Sequence, residues 1–406
     1  MIRNVVTICD GAGMTGGTEK VAITSAIELA KRDIRSLYFA GEGELFPGLW
    51  EHGVETSNLG LKDAYNTESK RELLSRFFWN KPAGEAFAKL IQTAKLDPKE
   101  TVIHVHGFRR VLSGSVVDIA ANAGFKLVFT LHDFGIACPN TSFFNYPEEK
   151  ICTLQPLSAK CCATQCTHSG WPMKMMQTGR AYKLKQTHIA DRFHHFIYVS
   201  EFSRKILEPL IPTQTPKTVL YNPVGDEKEE VAEPGLYDTF STIGRLSPEK
   251  GGVLFAKAAQ RAGAKCQFIG KGPEEDKIRE ANPNAIFTGW LSPEGVVEKI
   301  RASRAVVMSS LWYETAGLSV LEAVSRGVPV IVADTCASTE YVRHERSGLT
   351  FSGGSIDALA KALTAMTADR AKEYGINAYQ DYWKSPLTTE RYMNGLLNIY
   401  ERTLSS

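Results

Sequence analysis

Strand-like apolar segments alternate with helix-like segments along this chain, and that alternation limits its possible folds more than any other feature. The first unit runs from a strand-like segment at Asn4–Cys9 through a glycine-rich turn and an amphipathic segment at Thr18–Arg32 to a second strand-like segment at Ile34–Ala40. This order is typical of a βαβ unit. Short apolar strands separated by helices predict a parallel sheet with helices on both faces.

The alternation stops near the middle of the chain and then begins again. Residues 222–235 are rich in Pro, Gly and charge and have no periodic apolar face, which predicts a linker. Strand-like segments lie on both sides of it, at Thr101–Val105, Lys126–Leu131, Phe196–Val199, Thr239–Gly244, Cys266–Gly270, Ala285–Thr288, Ala305–Ser309 and Val328–Ala333. The sequence therefore predicts an α/β protein with two Rossmann-like domains, residues 1–222 and 223–385. A helix with an apolar face follows within residues 386–406.

Composition and charge exclude several classes of protein. The 406 residues are 43% hydrophobic and 23% charged, which excludes disordered, collagen-like and coiled-coil chains. The net charge of +2 argues against nucleic-acid binding by bulk charge. The N-terminal apolar segment reaches Asp10 too early for a signal peptide, and no apolar run is long enough to span a bilayer. We expect a cytoplasmic protein that contacts a membrane, if at all, from the surface of its inner face.

The first glycine-rich turn permits two functional interpretations. Residues Gly11–Gly16 fit the G-x-G-x-x-G pattern between a strand and a helix, and Glu42 follows the next strand. This is the arrangement of an NAD(P) site, so an oxidoreductase is one alternative. Gly16 and Gly17 also let a ligand approach the N–H groups at a helix start. A tight turn that binds nothing is the remaining possibility.

Two carboxylates and two cations mark the second half of the chain. Glu314 precedes a helix predicted to run from near Gly317 to Gly327, and Glu322 lies inside it. Free N–H groups at such a helix start suit a diphosphate, and the carboxylates can accept hydrogen bonds from sugar hydroxyls. Arg245 and Lys250 flank another predicted helix start and could neutralise a leaving diphosphate. Solvated surface charges are the alternative for both pairs.

Together these motifs resemble a known family. Gly16-Gly17-Thr18-Glu19, Gly244-Arg245 with Lys250-Gly251, Gly270-Lys271-Gly272-Pro273, and Glu314 with Glu322 follow the order seen in family-4 (group 1) retaining glycosyltransferases of GT-B architecture. The resemblance covers nearly the whole chain. It implies two facing Rossmann-like domains, with the donor bound mainly by the C-terminal one, the acceptor mainly by the N-terminal one, and a final helix that crosses back to the N-terminal domain.

The resemblance also implies an activity and a set of site residues. The activity is retaining transfer of a hexosyl group from a UDP- or GDP-sugar to a saccharide or lipid-linked acceptor, in cell-surface polysaccharide or lipopolysaccharide biosynthesis. Its implied catalytic residues are His132, Arg245, Lys250 and Glu314, and His106 is the expected acceptor contact. The implied donor-binding residues are Gly16, Gly17, Arg245, Lys250, Gly289, Trp290, Leu291, Glu314, Ala316, Gly317, Leu318 and Glu322. A non-catalytic nucleotide-sugar-binding protein of the same fold is a further alternative.

No cofactor is expected for the transfer, because the sequence contains no Asp-x-Asp pair to bridge a metal to a diphosphate. A structural zinc is a separate question. An insertion near residues 138–170 carries five of the eight cysteines: Cys138, Cys152, Cys161, Cys162 and Cys166. Their thiolates could hold zinc, although the spacing is irregular for a finger or ribbon. Reduced buried thiols are the alternative.

The segment after the cysteines mixes apolar and basic residues. It begins at Trp171 and contains several Met, Lys and Arg residues as far as Arg192, with Asp191 as its only acid. Such a composition suits contact with anionic lipid headgroups, which a lipid-linked acceptor would make useful. A solvated basic helix with its Met residues packed inward fits equally well.

Overall fold

Each half of the chain forms a parallel sheet. The computed structural model describes residues 2–61 and 76–406. The strands of the N-terminal half are β1 (Asn4–Gly11), β2 (Arg35–Glu42), β3 (Glu55–Leu61), β4 (Thr101–Val105), β5 (Lys126–Leu131), β6 (Phe144–Asn145), β7 (Lys150–Ile151), β8 (His195–Tyr198) and β9 (Lys217–Val219). Within the described residues the main sheet has the order β3-β2-β1-β4-β5-β8-β9, and β6 pairs with β7 in a small antiparallel hairpin.

Helices cover both faces of this sheet. They are α1 (Gly17–Ala30), α2 (Gly48–Glu51), α3 (Lys81–Thr93), α4 (Gly114–Asn122), α5 (Ala159–Cys162), α6 (Gly170–Gln186) and α7 (Glu201–Leu207). One core lies on the face where Ile8, Ile103 and Phe129 pack against α3 and α4. Smaller clusters lie under α1 on the opposite face. Burial on both faces explains why these strands read as continuous apolar runs.

The C-terminal half repeats this architecture. Its strands are β10 (Thr239–Ile243), β11 (Lys265–Ile269), β12 (Ile286–Gly289), β13 (Ala305–Met308), β14 (Val330–Ala333) and β15 (Gly348–Phe351). Its helices are α8 (Gly252–Ala262), α9 (Glu275–Ala281), α10 (Pro293–Arg301), α11 (Leu318–Val324), α12 (Ile356–Ala365), α13 (Ala368–Trp383) and α14 (Thr389–Ser405). The strand order is β12-β11-β10-β13-β14-β15, with parallel pairing throughout.

The strand orders show where ligands are expected. In the first sheet the order reverses between β1 and β4, and in the second it reverses between β10 and β13. Loops at the carboxyl ends of strands beside such a reversal diverge and leave a crevice. The glycine-rich turn and His106 follow β1 and β4, while the Arg245 and Glu314 segments follow β10 and β13. The fold therefore places the sequence-predicted residues at the two expected sites.

The last helix, α14, leaves the C-terminal domain and packs on the N-terminal sheet. Met393, Leu396 and Tyr400 are fully buried against a cluster that includes Val5 and Val128. The preceding helix α13 stays on the C-terminal domain, with Ala378 and Tyr382 in that domain's core. The apolar face predicted within residues 386–406 thus covers the domain from which the chain started.

The sequence analysis missed β6 and β7, which have two residues each, and three strands of the main sheets: β3, β9 and β15. Strand β3 is an edge strand of mostly polar or small residues that are exposed or half-buried, so it has no apolar pattern to detect. Strands β9 and β15 have only three and four residues. All three are held by main-chain pairing with a neighbouring strand, which depends on tertiary structure more than on local composition.

Replacement of Leu396 by Ala should destabilise the protein by about 2–5 kcal/mol, because a buried leucine is replaced by a cavity between α14 and the sheet. Urea unfolding followed by circular dichroism measures the change. Asn398→Ala, on the exposed face of the same helix, should leave the midpoint nearly unchanged. Equal effects of the two substitutions would contradict this packing.

Candidate active site

The two cations predicted in the C-terminal domain lie in the loop after β10. Pro248–Lys250 form a short 3-10 turn, and Gly251 takes a left-handed conformation with φ of 69°. A Cβ at Gly251 would lie 2.0 Å from the carbonyl oxygen of Ser309, which belongs to the loop after β13. Only glycine permits this approach, so Gly251 brings the two loops together.

An ion pair joins these loops at their tips. Lys250 Nζ donates to Glu314 Oε2 at 2.6 Å, and Trp312 Nε1 donates to the same oxygen at 3.1 Å. Burial by itself would raise the pKa of Glu314, but the charge and hydrogen bond of Lys250 outweigh this effect and hold the pKa below its ordinary value. Glu314 is therefore a carboxylate at neutral pH. Arg245 lies at the same edge with its side chain 67% exposed, and its guanidinium is 3.4 Å from Glu249.

The predicted helix after Glu314 is present as α11. Gly317 precedes it with φ of 66°, and a Cβ there would clash with Ser338 Oγ at 1.9 Å. Glu322 lies within the helix and pairs with Lys20 of α1 across the domain interface, with Nζ to Oε1 at 3.2 Å. The Gly16-Gly17 turn stands opposite, since a Cβ at Gly17 would lie 3.5 Å from Leu318 Cδ1. The loops from both domains thus face one cleft.

The loop that carries Glu314 also contacts the predicted histidine. Thr315 Oγ1 donates to the main-chain oxygen of His132 at 2.8 Å, and Ser200 Oγ donates to the main-chain oxygen of Thr315 at 2.6 Å. The ring of Tyr313 packs against Phe134 and Phe202 of the N-terminal domain. The backbone beside Glu314 is therefore fixed against the backbone of His132.

His132, which is half-buried, is the outer member of a line of polar side chains whose other members are buried. His132 Nε2 lies 2.9 Å from His106 Nδ1, and His106 Nε2 lies 3.2 Å from His104 Nδ1. His104 in turn contacts the hydroxyls of Tyr400 at 2.6 Å and Thr130 at 2.7 Å. The line runs from the cleft to helix α14. The sequence analysis singled out His106, and nothing in the sequence around His104 indicates its contact with Tyr400.

These histidines are neutral at physiological pH. Burial lowers the pKa of His132 and of His104 to about 3, and it lowers that of His106 well below the ordinary value. A neutral imidazole uses one ring nitrogen as donor and the other as acceptor, so each hydrogen bond along the line constrains the next. The side chain of His132 is consequently uncharged and held in a fixed orientation.

The glycine-rich turn does not have the surroundings of a dinucleotide site. The carboxylate of Glu19 lies beneath it, within 2.9 Å of the Cβ positions that Gly11 and Gly16 would have. Glu19 is largely buried and pairs with Arg110, which also pairs with Glu42. A negative group in this position opposes binding of a pyrophosphate. Glu42, the acid that follows the second strand in the NAD(P) arrangement, is instead paired with Arg110.

Three predicted donor-binding residues lie at the end of β12: Gly289 is its last residue, and Trp290 and Leu291 follow it. Gly289 forms an isolated bridge with Gly270 and has φ of 71°. The side chain of Trp290 is mostly exposed at this edge of the sheet. Its ring is thus accessible to a planar ligand.

The cysteine-rich segment contains free thiols. Cys138, Cys161 and Cys166 are buried, and Cys152 and Cys162 are half-buried. All of these except Cys162 line a cavity of about 10 Å³ together with buried Lys174, whose Nζ lies 3.3 Å from Cys166 Sγ and 3.8 Å from Cys161 Sγ. Among the described residues, no three His, Cys, Asp or Glu side chains are arranged to hold a metal ion.

Several residues of the cleft escaped sequence analysis. Lys20, Thr315 and Ser200 contact it through partners in the other domain, and Arg109 and Gln177 line a cavity beside His132. Lys20 and Thr315 lie beside or within the predicted motifs but are not part of their pattern, and Gln177 lies in no motif. Ser200 and Arg109 each follow a predicted strand, and that position was the one signal that could have indicated them.

The C-terminal half resembles a known family in sequence. Residues 225–381 match the family model of glycosyl transferases group 1. A GDP-mannose-dependent alpha-mannosyltransferase of Mycolicibacterium smegmatis is 34% identical over 137 residues, 34% of this chain and 36% of that protein. A UDP-Gal:alpha-D-GlcNAc-diphosphoundecaprenol alpha-1,3-galactosyltransferase of Escherichia coli is 28% identical over 163 residues, 36% of this chain and 41% of that protein. These matches span about two fifths of the curated relatives' length.

Solved structures match over the whole chain. Anabaena HepE in complex with UDP and glucose aligns with a TM-score of 0.66 and 16% identity, covering 98% of this chain and 100% of that one. Sucrose-phosphate synthase from Thermosynechococcus elongatus aligns with a TM-score of 0.71 and 15% identity, covering 99% of each chain. The fold is therefore the two-domain GT-B architecture.

The histidine line makes stability depend on pH. The folded-state pKa of each of the three histidines is below the unfolded value of about 6.5, so the unfolded chain binds more protons. Their contribution is complete above about pH 6.5 and is lost as the pH falls toward the folded-state values, by about 1.4 kcal/mol per pH unit for each histidine. Urea unfolding at several pH values measures the slope.

His106→Gln removes one titrating group from this line and should reduce the slope by about one histidine's share, 1.4 kcal/mol per pH unit. His194 and His195, whose pKa values are also lowered by burial, contribute equally to both proteins and cancel in the comparison. Identical slopes for wild type and variant would contradict the assignment.

Proposed function

We propose that this protein is a family-4, retaining glycosyltransferase that moves a hexosyl group from a nucleoside diphosphate sugar to a saccharide or lipid-linked acceptor, in cell-surface polysaccharide or lipopolysaccharide biosynthesis. The observation that carries the proposal is the Lys250–Glu314 ion pair, which stands at the carboxyl edge of the C-terminal sheet and is joined to His132 through Thr315. The sequence match over residues 225–381 includes Lys250, Glu314 and Glu322.

The first chemical task is to stabilise the departing diphosphate. Lys250 and Arg245 supply positive charge where negative charge develops, and the backbone N–H groups of Ala316–Leu318 precede α11 beside them. Groups held in place before reaction stabilise the transition state without reorganising. Glu314 holds Lys250 in position and presents carboxylate oxygen to a sugar hydroxyl. We propose that this step needs no metal ion.

The second task is to bring an acceptor hydroxyl to the same face of the sugar. His132 stands at the junction of the donor loop and the N-terminal cavity, and its neutral imidazole can hydrogen-bond the donor sugar without adding charge near the forming cation. In this front-face mechanism the bond from the sugar to the diphosphate breaks, the acceptor oxygen bonds to the sugar on the same face, and the leaving phosphate takes the acceptor's proton. His106 acts by orienting His132.

The donor base is either uracil or guanine in this proposal. The relatives named above use GDP-mannose or UDP-galactose, and HepE was solved with UDP. Exposed Trp290 is the proposed stacking surface for the base, and Glu322 the proposed acceptor for the ribose hydroxyls. A screen of nucleotide sugars with mass detection identifies the donor.

The alternatives have less support. The Glu19 carboxylate under the glycine-rich turn opposes a dinucleotide, and the comparisons name glycosyl transferases. A non-catalytic nucleotide-sugar-binding protein would share the cleft but would not turn over its ligand. Slow hydrolysis of a nucleotide sugar by the purified protein separates an enzyme from a binder.

We also propose that the protein is cytoplasmic and contacts the inner face of a membrane through α6. No helix among the described residues is long and apolar enough to span a bilayer. On α6 the side chains of Trp171, Met175 and Tyr182 are exposed, with Lys185 farther along the helix. Exposed apolar groups beside basic ones bind to anionic interfaces.

Replacement of Lys250 by Ala should lower kcat for hydrolysis or transfer roughly 100- to 1,000-fold, because the leaving diphosphate loses a preorganised cation and Glu314 loses its partner. Glu314→Gln should cause a loss of similar size. The measurement is release of nucleoside diphosphate at saturating donor. Lys257→Ala, on the exposed side of α8, is the matched control and should retain wild-type rates. Wild-type turnover by both site variants would refute the proposed mechanism.

Replacement of Trp171 and Met175 together by Ser should weaken binding to vesicles that contain anionic phospholipid by about tenfold or more, because two apolar side chains no longer enter the interface. Cosedimentation measures the bound fraction. Leu236→Ser removes an equally exposed apolar group from the C-terminal domain and should have no effect. Equal binding by all three proteins would rule out α6 as the contact.

A structural zinc at the cysteine cluster stays a prediction. Its candidate ligands are Cys138, Cys152, Cys161, Cys162 and Cys166, and the thiols would have to move together to bind it, since no three of them are arranged around a metal position in the described residues. Metal analysis of protein purified without chelator tests it. About one zinc per chain would support the site. A substoichiometric amount would contradict it and favour reduced thiols.

A further inference from the structure

The N-terminal domain contains a cavity of about 350 Å³ beside His132. His106, Arg109, Asp133, Gln177 and Arg180 are among the residues that line it. Its volume lies in the range of small-ligand sites. The main-chain oxygen of His132 also accepts a hydrogen bond from Thr315, in the loop that carries Glu314. A ligand in this cavity would therefore lie next to the proposed donor sugar.

Arg109 has hydrogen-bonding capacity that the protein does not use. Its Nη2 donates to the main-chain oxygen of Pro139 at 3.4 Å, while its Nε and Nη1 are buried and have no partner among the described residues. Burial lowers the pKa of Arg109, and the charge of Asp133 opposes this shift without an ion pair within 4.0 Å. Buried donors without partners are unfavourable, and an anionic ligand would supply the missing acceptors.

The acids in the cavity wall already have partners. The carboxylate of Asp10 accepts from the main-chain N–H groups of Arg110, Val111 and Leu112 at 2.8, 2.9 and 3.0 Å. Glu19 pairs with Arg110. Asp133 accepts from the N–H of Gly135 at 2.7 Å. The donors of Arg109 are thus the larger unmet requirement in this wall.

Gln177 supplies a second point of recognition. The residue is 8% exposed and lines the cavity, and its Oε1 is buried and has no partner among the described residues. Arg180, one turn farther along α6, donates to the main-chain oxygen of Arg109 at 2.6 Å and stacks on Phe77, which fixes the helix beside Arg109. A ligand hydroxyl can supply the donor that Gln177 Oε1 lacks.

We propose that this cavity binds a saccharide carrying an anionic group, a phosphate or a carboxylate, with the anion on Arg109 and a hydroxyl on Gln177. The inference rests on the proposed function, since this saccharide is the acceptor of the transfer. The planar guanidinium matches either anion, and the neighbouring cavity wall holds the polyhydroxyl part of the ligand beside His132.

Ligand-observed NMR with three matched probes at millimolar concentration tests the proposal: a neutral methyl hexoside, the corresponding hexose phosphate and the corresponding hexuronate. Wild-type protein should bind at least one anionic probe more tightly than the neutral one, and the stronger anionic probe identifies the anion. Arg109→Gln should weaken anionic binding roughly 10- to 100-fold, and Arg109→Lys by less. Gln177→Leu should weaken all three probes.

Donor binding provides the control that separates this inference from the proposed function. UDP or GDP should raise the melting temperature by the same amount in wild type, in Arg109→Gln and in the matched variant Arg35→Gln. Equal shifts would also show that both variants are folded. No preference for an anionic probe in wild type, no binding of any anionic probe, or an unchanged preference in Arg109→Gln would overturn the inference. If the wild-type protein neither binds UDP or GDP nor turns over a nucleotide sugar, the proposed function is overturned instead.

Discussion

The contact of Thr315 with both His132 and Ser200 is the interaction on which the rest of the site depends. It is formed by two buried or half-buried hydrogen bonds between segments more than 100 residues apart. These bonds hold the loop that follows β13 against the backbone of His132, at the strand ends of the N-terminal sheet. The packing of Tyr313 on Phe134 and Phe202 adds apolar area to the same junction.

Around this junction, the C-terminal domain presents ionised side chains and the N-terminal domain presents neutral ones. On the C-terminal side, Glu314 stays ionised because the charge and hydrogen bond of Lys250 hold its pKa below the ordinary value. On the N-terminal side, three histidines stay neutral because burial penalises their charged forms. A reaction that creates negative charge on a diphosphate and positive charge on a sugar is suited by cations on one side and uncharged polar groups on the other.

The sequence predicted the parts of this structure that depend on local patterns. Apolar strands, glycine turns and the helix after Glu314 were found because each leaves its signal within a few residues. Strand β3 was missed because main-chain pairing at a sheet edge requires no apolar pattern. The roles of Tyr400 beside His104, of Lys20 beside Glu322 and of Arg109 in the cavity depend on the tertiary fold, which joins ordinary residue types from distant parts of the chain.

The ion pair between Lys20 and Glu322 would couple binding of the proposed nucleotide to the spacing between the two domains. Its side chains are 54% and 23% exposed, and pairs of this kind contribute only about 0–1 kcal/mol. A ribose hydroxyl that bonded to Glu322 would replace the contact from Lys20 of the N-terminal domain, and the loss of that ion pair would cost little free energy. The ligand would then take over part of the bridging between α1 and α11, so occupancy of the cleft and the spacing of its walls would be thermodynamically coupled.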